Sequence, residues 1–202
     1  LLLFRATGFT IFLDIAAENF PDKREQQLLV GLIQMLWDRV EPNGYTHHVT
    51  ENPLPGTNAK DVLLRSAIGD HQVTNLSSHL MARTMKAKQL DAGQADVWGL
   101  DQVSSTSDES FYIEYGFALP KIPPCNLPMT LCDDPHEHPR RRTSARAQLN
   151  EFLRNGSGTN HCAPGDDDEH QATEAGVCSY PSLAGCGPDE DDRSEEHTSE
   201  RV

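Results

Sequence analysis

An aspartate and a histidine 66 residues apart form the pattern in this chain best suited to chemistry. Asp70 closes the apolar run Val62-Leu63-Leu64-Arg65-Ser66-Ala67-Ile68-Gly69, and a helix-like segment, Asn75 to Lys86, follows. A strand, a Gly-Asp turn and then a helix put a carboxylate at the carboxyl end of a strand, where open α/β sheets place their ligands. Asp134-Pro135-His136 sets a histidine on a Pro-rich loop after another strand-like run. A carboxylate that accepts a histidine Nδ1–H fixes the tautomer and stabilises the imidazolium formed when the ring takes a proton from a nucleophile. Aspartate then histidine is the last two-thirds of a Ser…Asp…His order. The serine is missing. No G-x-S-x-G occurs, and Gly156-Ser157-Gly158 has neither the spacing nor a strand before it.

Simpler roles compete for the same residues. Asp70 also suits a turn or helix N-cap, and His136 an exposed loop. His138 is the main rival for the histidine role. His71 adjoins Asp70, but neighbours on a turn diverge. Asp133, Asp134, His136 and His138 together offer imidazole and carboxylate ligands of the kind that suit zinc or manganese. The run Asp166 to Glu169 lacks the alternating ligands and glycine of a calcium loop and reads as solvated acid. His47-His48 reads as surface. No cofactor is expected, and no metal site is assigned.

The elements that must position these residues follow from local pattern. Thr10 to Asn19 reads as a short helix. Asp22, with Glu25 three residues on, marks the start of a second. Its continuation, Gln26 to Arg39, carries Leu28, Leu32 and Leu36 beside Leu29, Ile33 and Trp37, a broad stripe expected to pack. Thr46 to Ala59, with two prolines and a glycine, reads as loop. Strand-like runs are expected from Val62, over Ala95 to Leu100, and over Ser110 to Phe117. The stretch from Ala118 to Asp134 reads as irregular loop. Arg142 to Arg154 reads as the last helix. Alternating strands and helices predict an α/β fold with parallel strands.

Composition narrows the class. Only 37% of the 202 residues are hydrophobic, against roughly 45–50% in average globular domains. Apolar residues thin out after Leu153, so a folded part followed by a tail is expected. The net charge of −14 argues against a nucleic-acid partner. Residues 189–202 alone hold seven acids and two basic groups. Cys125, Cys132, Cys162, Cys178 and Cys186 all lie in the loop-rich second half, which fits disulfide staples and export. No CxxC is present. Arg5 and Asp14 interrupt the apolar opening stretch, so no membrane span is expected. Arg193 to Glu200 resembles the in-frame translation of a sequencing adapter, so no function is assigned to residues 193–202. The domains expected are a helical cap segment at 1–45, a core at 46–156 and a Cys- and acid-rich tail at 157–192.

From Val62 to Lys86 the chain resembles the acid-strand region of α/β-hydrolase enzymes, with Gly69-Asp70-His71-Gln72-Val73 at the acid turn. Asp134-Pro135-His136, followed by Gln148-Leu149-Asn150-Glu151-Phe152-Leu153, resembles that fold's terminal histidine loop and last helix. The resemblance implies the C-terminal part of an α/β-hydrolase-type parallel sheet, with Asp70 as triad acid and His136 as general base. It further implies hydrolysis of an ester or related acyl bond in an esterase- or lipase-like protein. The first two helices would belong to a cap over the pocket. The nucleophile elbow and oxyanion hole would lie upstream, so the partners implied are a small-molecule ester and the preceding part of the same protein. The gap between acid and histidine is longer than usual for that family. Alternatives are a non-catalytic extracellular binding protein on the same framework, or a metal-binding module.

Overall fold

A computed structural model describes residues 5–117, 128–130 and 134–162, together with the backbone of 171–172 and 178–179. Its order is α1 (Thr10–Asn19), α2 (Lys23–Trp37), α3 (His47–Thr50), β1 (Leu63–Ala67), α4 (Asn75–Thr84), β2 (Lys88–Leu90), β3 (Gln102–Val103) and β4 (Ser105–Ser107). Then come β5 (Phe111–Tyr115), α5 (His138–Arg141), α6 (Thr143–Asn155) and β6 (Ser157–Thr159). Strands β1, β5, β2 and β3, in that spatial order, form one sheet whose pairings are all parallel. The chain is therefore mixed α/β. Strands β4 and β6 make a separate antiparallel pair, and so do Gln171–Ala172 and Cys178–Ser179.

The path is not sequential. After β1 the chain runs through α4 to β2 and leaves a gap that β5 fills later, pairing Leu63 to Ala67 with Phe111 to Tyr115. All five residues of β5 are buried, as a central strand covered on both faces requires. Alternation sorts them. Phe111, Ile113 and Tyr115 join Ala67, Ala145 and Phe152 beneath α6. Tyr112 joins Ala82, Ala87 and Val97 beneath α4. Each large apolar side chain buried this way contributes about 1.5–3 kcal/mol.

Several expectations need correction. Residues Ala95 to Leu100 form no strand: Val97 is buried, but Trp98 is 83% exposed and Gly99 sits at φ +82°. The second strand is instead Lys88–Leu90, reached through a left-handed turn at Lys86 (φ +53°) directly after α4. The proposed loop 46–59 contains α3, where His47 and His48 stack with ring centroids 4.0 Å apart. Asp22 does cap α2 by accepting the Arg24 N–H at 2.8 Å. The α2 stripe is not packed, however: Leu28, Leu32, Leu36 and Trp37 are each more than half exposed. Sheet pairing also continues past Gly156, since β6 pairs with β4 and Cys162 is buried in the main core. Cys125, Cys132 and Cys186, the acidic run at 166–169 and residues 193–202 lie outside the described residues.

Gly158 on β6 lies over the ring of fully buried Phe111, and a Cβ there would overlap the ring carbons. Gly158→Ala should destabilise the chain by about 1–3 kcal/mol through overpacking, read as a lower melting temperature. Combining it with Phe111→Leu should cost less than the two single changes added together. Strict additivity would show that the two residues do not share the space.

Candidate active site

The β1–α4 turn is built by hydrogen bonds that only certain side chains supply. Gly69 adopts φ +83°, a left-handed conformation open to glycine without strain. Asp70 then folds over the turn, its Oδ1 accepting the backbone N–H of Gln72 and of Val73, both at 2.8 Å. Asn75, the first residue of α4, anchors the strand side of the same turn. Its Oδ1 accepts the Gly69 N–H at 3.2 Å, while its Nδ2 donates to the Ala67 carbonyl at 2.9 Å.

The histidine loop approaches from the chain that follows β5. Pro135–Glu137 is a short 3-10 turn capped by Asp134. His136 Nδ1 lies 2.8 Å from Asp70 Oδ2. Two N–H donors already point at Asp70 Oδ1, so the carboxylate is the acceptor and the Nδ1–H donates to Oδ2. In a neutral ring so held, Nε2 is the lone-pair nitrogen. Asp70 is 8% exposed, and the His136 side chain 19%. The dyad is largely shielded from bulk water, with the His136 side chain the more exposed of the two. Glu137 lies 3.8 Å from Nε2, beyond hydrogen-bond reach, and pairs with Arg140.

The structure thus brings Asp70 and His136 together. His138 instead sets its ring edge-on against Phe117, with centroids 5.1 Å apart. His71 is buried and turns its backbone into the framework: its carbonyl accepts the Thr7 N–H and hydroxyl at 2.9 and 3.0 Å. Asp133 lies outside the described residues, among which no group of three potential ligands could hold a metal ion. Asp134 in particular is engaged otherwise. Its Oδ1 accepts the backbone N–H of His71 and of His136, both at 3.1 Å, and its Oδ2 accepts Gln72 Nε2–H at 2.7 Å. One carboxylate therefore staples the acid turn to the histidine loop.

Sequence reasoning missed that staple, and it missed a second polar cluster on the α4 face. Glu114, buried in β5, accepts at Oε1 from Asn75 Nδ2 (3.0 Å), Tyr112 Oη (2.7 Å) and His79 Nε2 (2.8 Å). The Ser66 hydroxyl lies 2.6 Å from Tyr112 Oη and completes the chain of bonds. Burial, then the Glu114 charge, push the Tyr112 phenol well above its ordinary value, so it stays a donor. A glutamate inside an apolar strand was the available signal, because a buried carboxylate requires partners.

A cleft of about 150 Å³ opens beside the dyad, lined by Arg65, Ser66, Ala67, Asp70, Ser78 and His136 among others. It borders β1 rather than β5; among the described residues β1 pairs with β5 alone. No residue of α1 or α2 lines it. No serine among the described residues hydrogen-bonds His136 Nε2, and the Ser66 hydroxyl is committed to Tyr112. None of the described helices is long and apolar enough to cross a membrane. No family model matches the chain, and comparison with curated proteins and with solved structures returns no match.

Burial pushes the Asp134 carboxyl up, but hydrogen bonds from Gln72, His71 and His136 outweigh it and hold it below its ordinary value of 3.8. A carboxyl depressed in the folded state gives stability that is complete above the ordinary value and is lost as pH falls through the folded value. Asp134→Ala should therefore cost about 1–2 kcal/mol near neutral pH, after allowance for solvent screening. The melting-temperature gap between native chain and variant should close as the pH drops below 3.8. A gap that stays constant into acid would show that the staple contributes nothing as a carboxylate.

Proposed function

We propose that Asp70 and His136 are the acid and the general base of a serine-type hydrolase of α/β-hydrolase kind, acting on an ester or related acyl bond. The observation that carries this reading is the 2.8 Å bond between His136 Nδ1 and Asp70 Oδ2. It lies just beyond the carboxyl end of β1, and the histidine follows the neighbouring parallel strand β5. A neutral ring held this way presents Nε2 as base and is stabilised as imidazolium once it has taken the nucleophile's proton. It can then return that proton to the leaving alcohol. The nucleophile is not among the 202 residues in any recognisable elbow, and on this reading a preceding part of the same protein supplies it. The cysteine-rich second half supports a protein made for an oxidising compartment.

A second reading takes the absent nucleophile at face value: a non-catalytic binding protein that keeps the dyad to hold two loops together. The two are separated by a longer form that includes the preceding coding sequence, assayed on chromogenic esters. The hydrolase reading expects a serine reactive toward fluorophosphonates, and losses in kcat on the order of 10³-fold or more for Asp70→Asn and for His136→Ala. An active long form indifferent to both substitutions, or a preceding sequence without G-x-S-x-G, would reject the assignment in favour of the binding protein.

A further inference from the structure

Among the described residues the cleft holds one cation, Arg65, that no carboxylate pairs with. Arg65 leaves β1 toward α6, and its Nη1 donates to the Ala145 carbonyl at 2.9 Å. Its guanidinium also faces the Tyr115 hydroxyl. Both partners are neutral. No carboxylate among the described residues lies within ion-pair distance of it, although the side chain is partly buried. The other charged groups at the cleft are matched: Asp70 with His136, and Arg140 with Glu137. A partly dehydrated charge without a counter-charge is costly, and none of the described acids supplies one here. A guanidinium carries five N–H donors, of which these neutral contacts occupy few.

The size of the cleft points the same way. The volume, about 150 Å³, falls below the roughly 300–1,000 Å³ of sites for drug-sized ligands. It suits a small polar group rather than a long acyl chain.

We propose that this cleft binds a small anionic group, a carboxylate or a phosphate, paired with the Arg65 guanidinium. The planar fork of arginine matches either oxyanion in bidentate fashion. Arg140 stands at the rim, where exchanging Glu137 for the ligand adds a second cation. Bound there, the anion lies beside His136, so, on the hydrolase reading, the substrate is an acyl ester that itself carries a negative charge near the scissile bond.

The test uses the full chain labelled with ¹⁵N and titrated separately with inorganic phosphate, acetate and neutral acetamide at constant ionic strength. Saturable shifts of the Arg65 Nε–H and the His136 ring are expected with phosphate, acetate or both, and none with acetamide. Response to one anion alone identifies the oxyanion recognised. Arg65→Gln should weaken the binding at least ten-fold, and Arg65→Lys, which keeps the charge, should weaken it less. Because Arg65 also ties β1 to α6, the Nε–H signal in the unsubstituted chain decides the matter should a variant fail to fold. No saturable response to either anion, or binding unchanged in a folded Arg65→Gln chain, overturns the proposal. Failure of the hydrolase reading is a separate result. Anion binding can hold while the long form ignores Asp70→Asn, and the long form can hydrolyse neutral esters while this cleft binds no anion.

Discussion

Strand β5 has to fit between two strands that precede it by more than twenty residues, and the remaining architecture depends on that insertion. It pairs with β1 along five positions and with β2 along two. Both its faces are buried, so every side chain must find a partner across the sheet. The apolar ones find α6. Tyr115 instead donates to Gln148 Oε1 at 2.7 Å, and Gln148 in turn donates to the Thr159 carbonyl at 3.0 Å. A single buried amide thus connects the central strand, the last helix and β6. Once β5 lies beside β1, the chain leaving it emerges next to the acid turn. The meeting of Asp70 and His136 is a consequence of strand order.

Position alone would leave two loops merely near each other. What holds them is a set of side-chain acceptors placed where backbone N–H groups would otherwise be unpaired. Asp70 serves its own turn, Asn75 serves the strand end, and Asp134 serves both loops at once. The division of labour has a physical reason. Asp70 spends one oxygen on the turn and keeps the other for His136, so its direction is set before the histidine arrives. Asp134 spends both oxygens on N–H donors from the two loops, and neither on a ring nitrogen. Two aspartates two bonds apart in this network do different work because of what already points at them.

The legible part of the chain was the part with regular periodicity or special turn chemistry. Thr10–Asn19 and the strand within Ser110 to Phe117 could be read from pattern, and Gly69-Asp70 from the break it makes in an apolar run. Strands of two or three residues, such as β2 and β3, show no period. The turn into β2 hides as well, because Lys86 takes a left-handed conformation without the glycine that would announce it. Apolar spacing misled for α2: Leu28, Leu32 and Leu36 lie on one stripe, yet amphipathic spacing does not name the surface that covers it. The staple at Asp134 was invisible for another reason. Its three partners come from two segments more than sixty residues apart, and only strand order brings those segments together.

The long separation between acid and histidine has a structural explanation in the same strand order. Residues 88–107 contain β2 and β3, which extend the sheet beyond β5, and β4, which pairs with β6. Extra chain between the two loops is spent on the far edge, away from the cleft. The distance between Asp70 and His136 is therefore independent of how much sequence divides them. A carboxylate–imidazole pair survives such an insertion provided that β5 still returns to the side of β1. Among the described residues no strand pairs with the other edge of β1, and the cleft borders that strand.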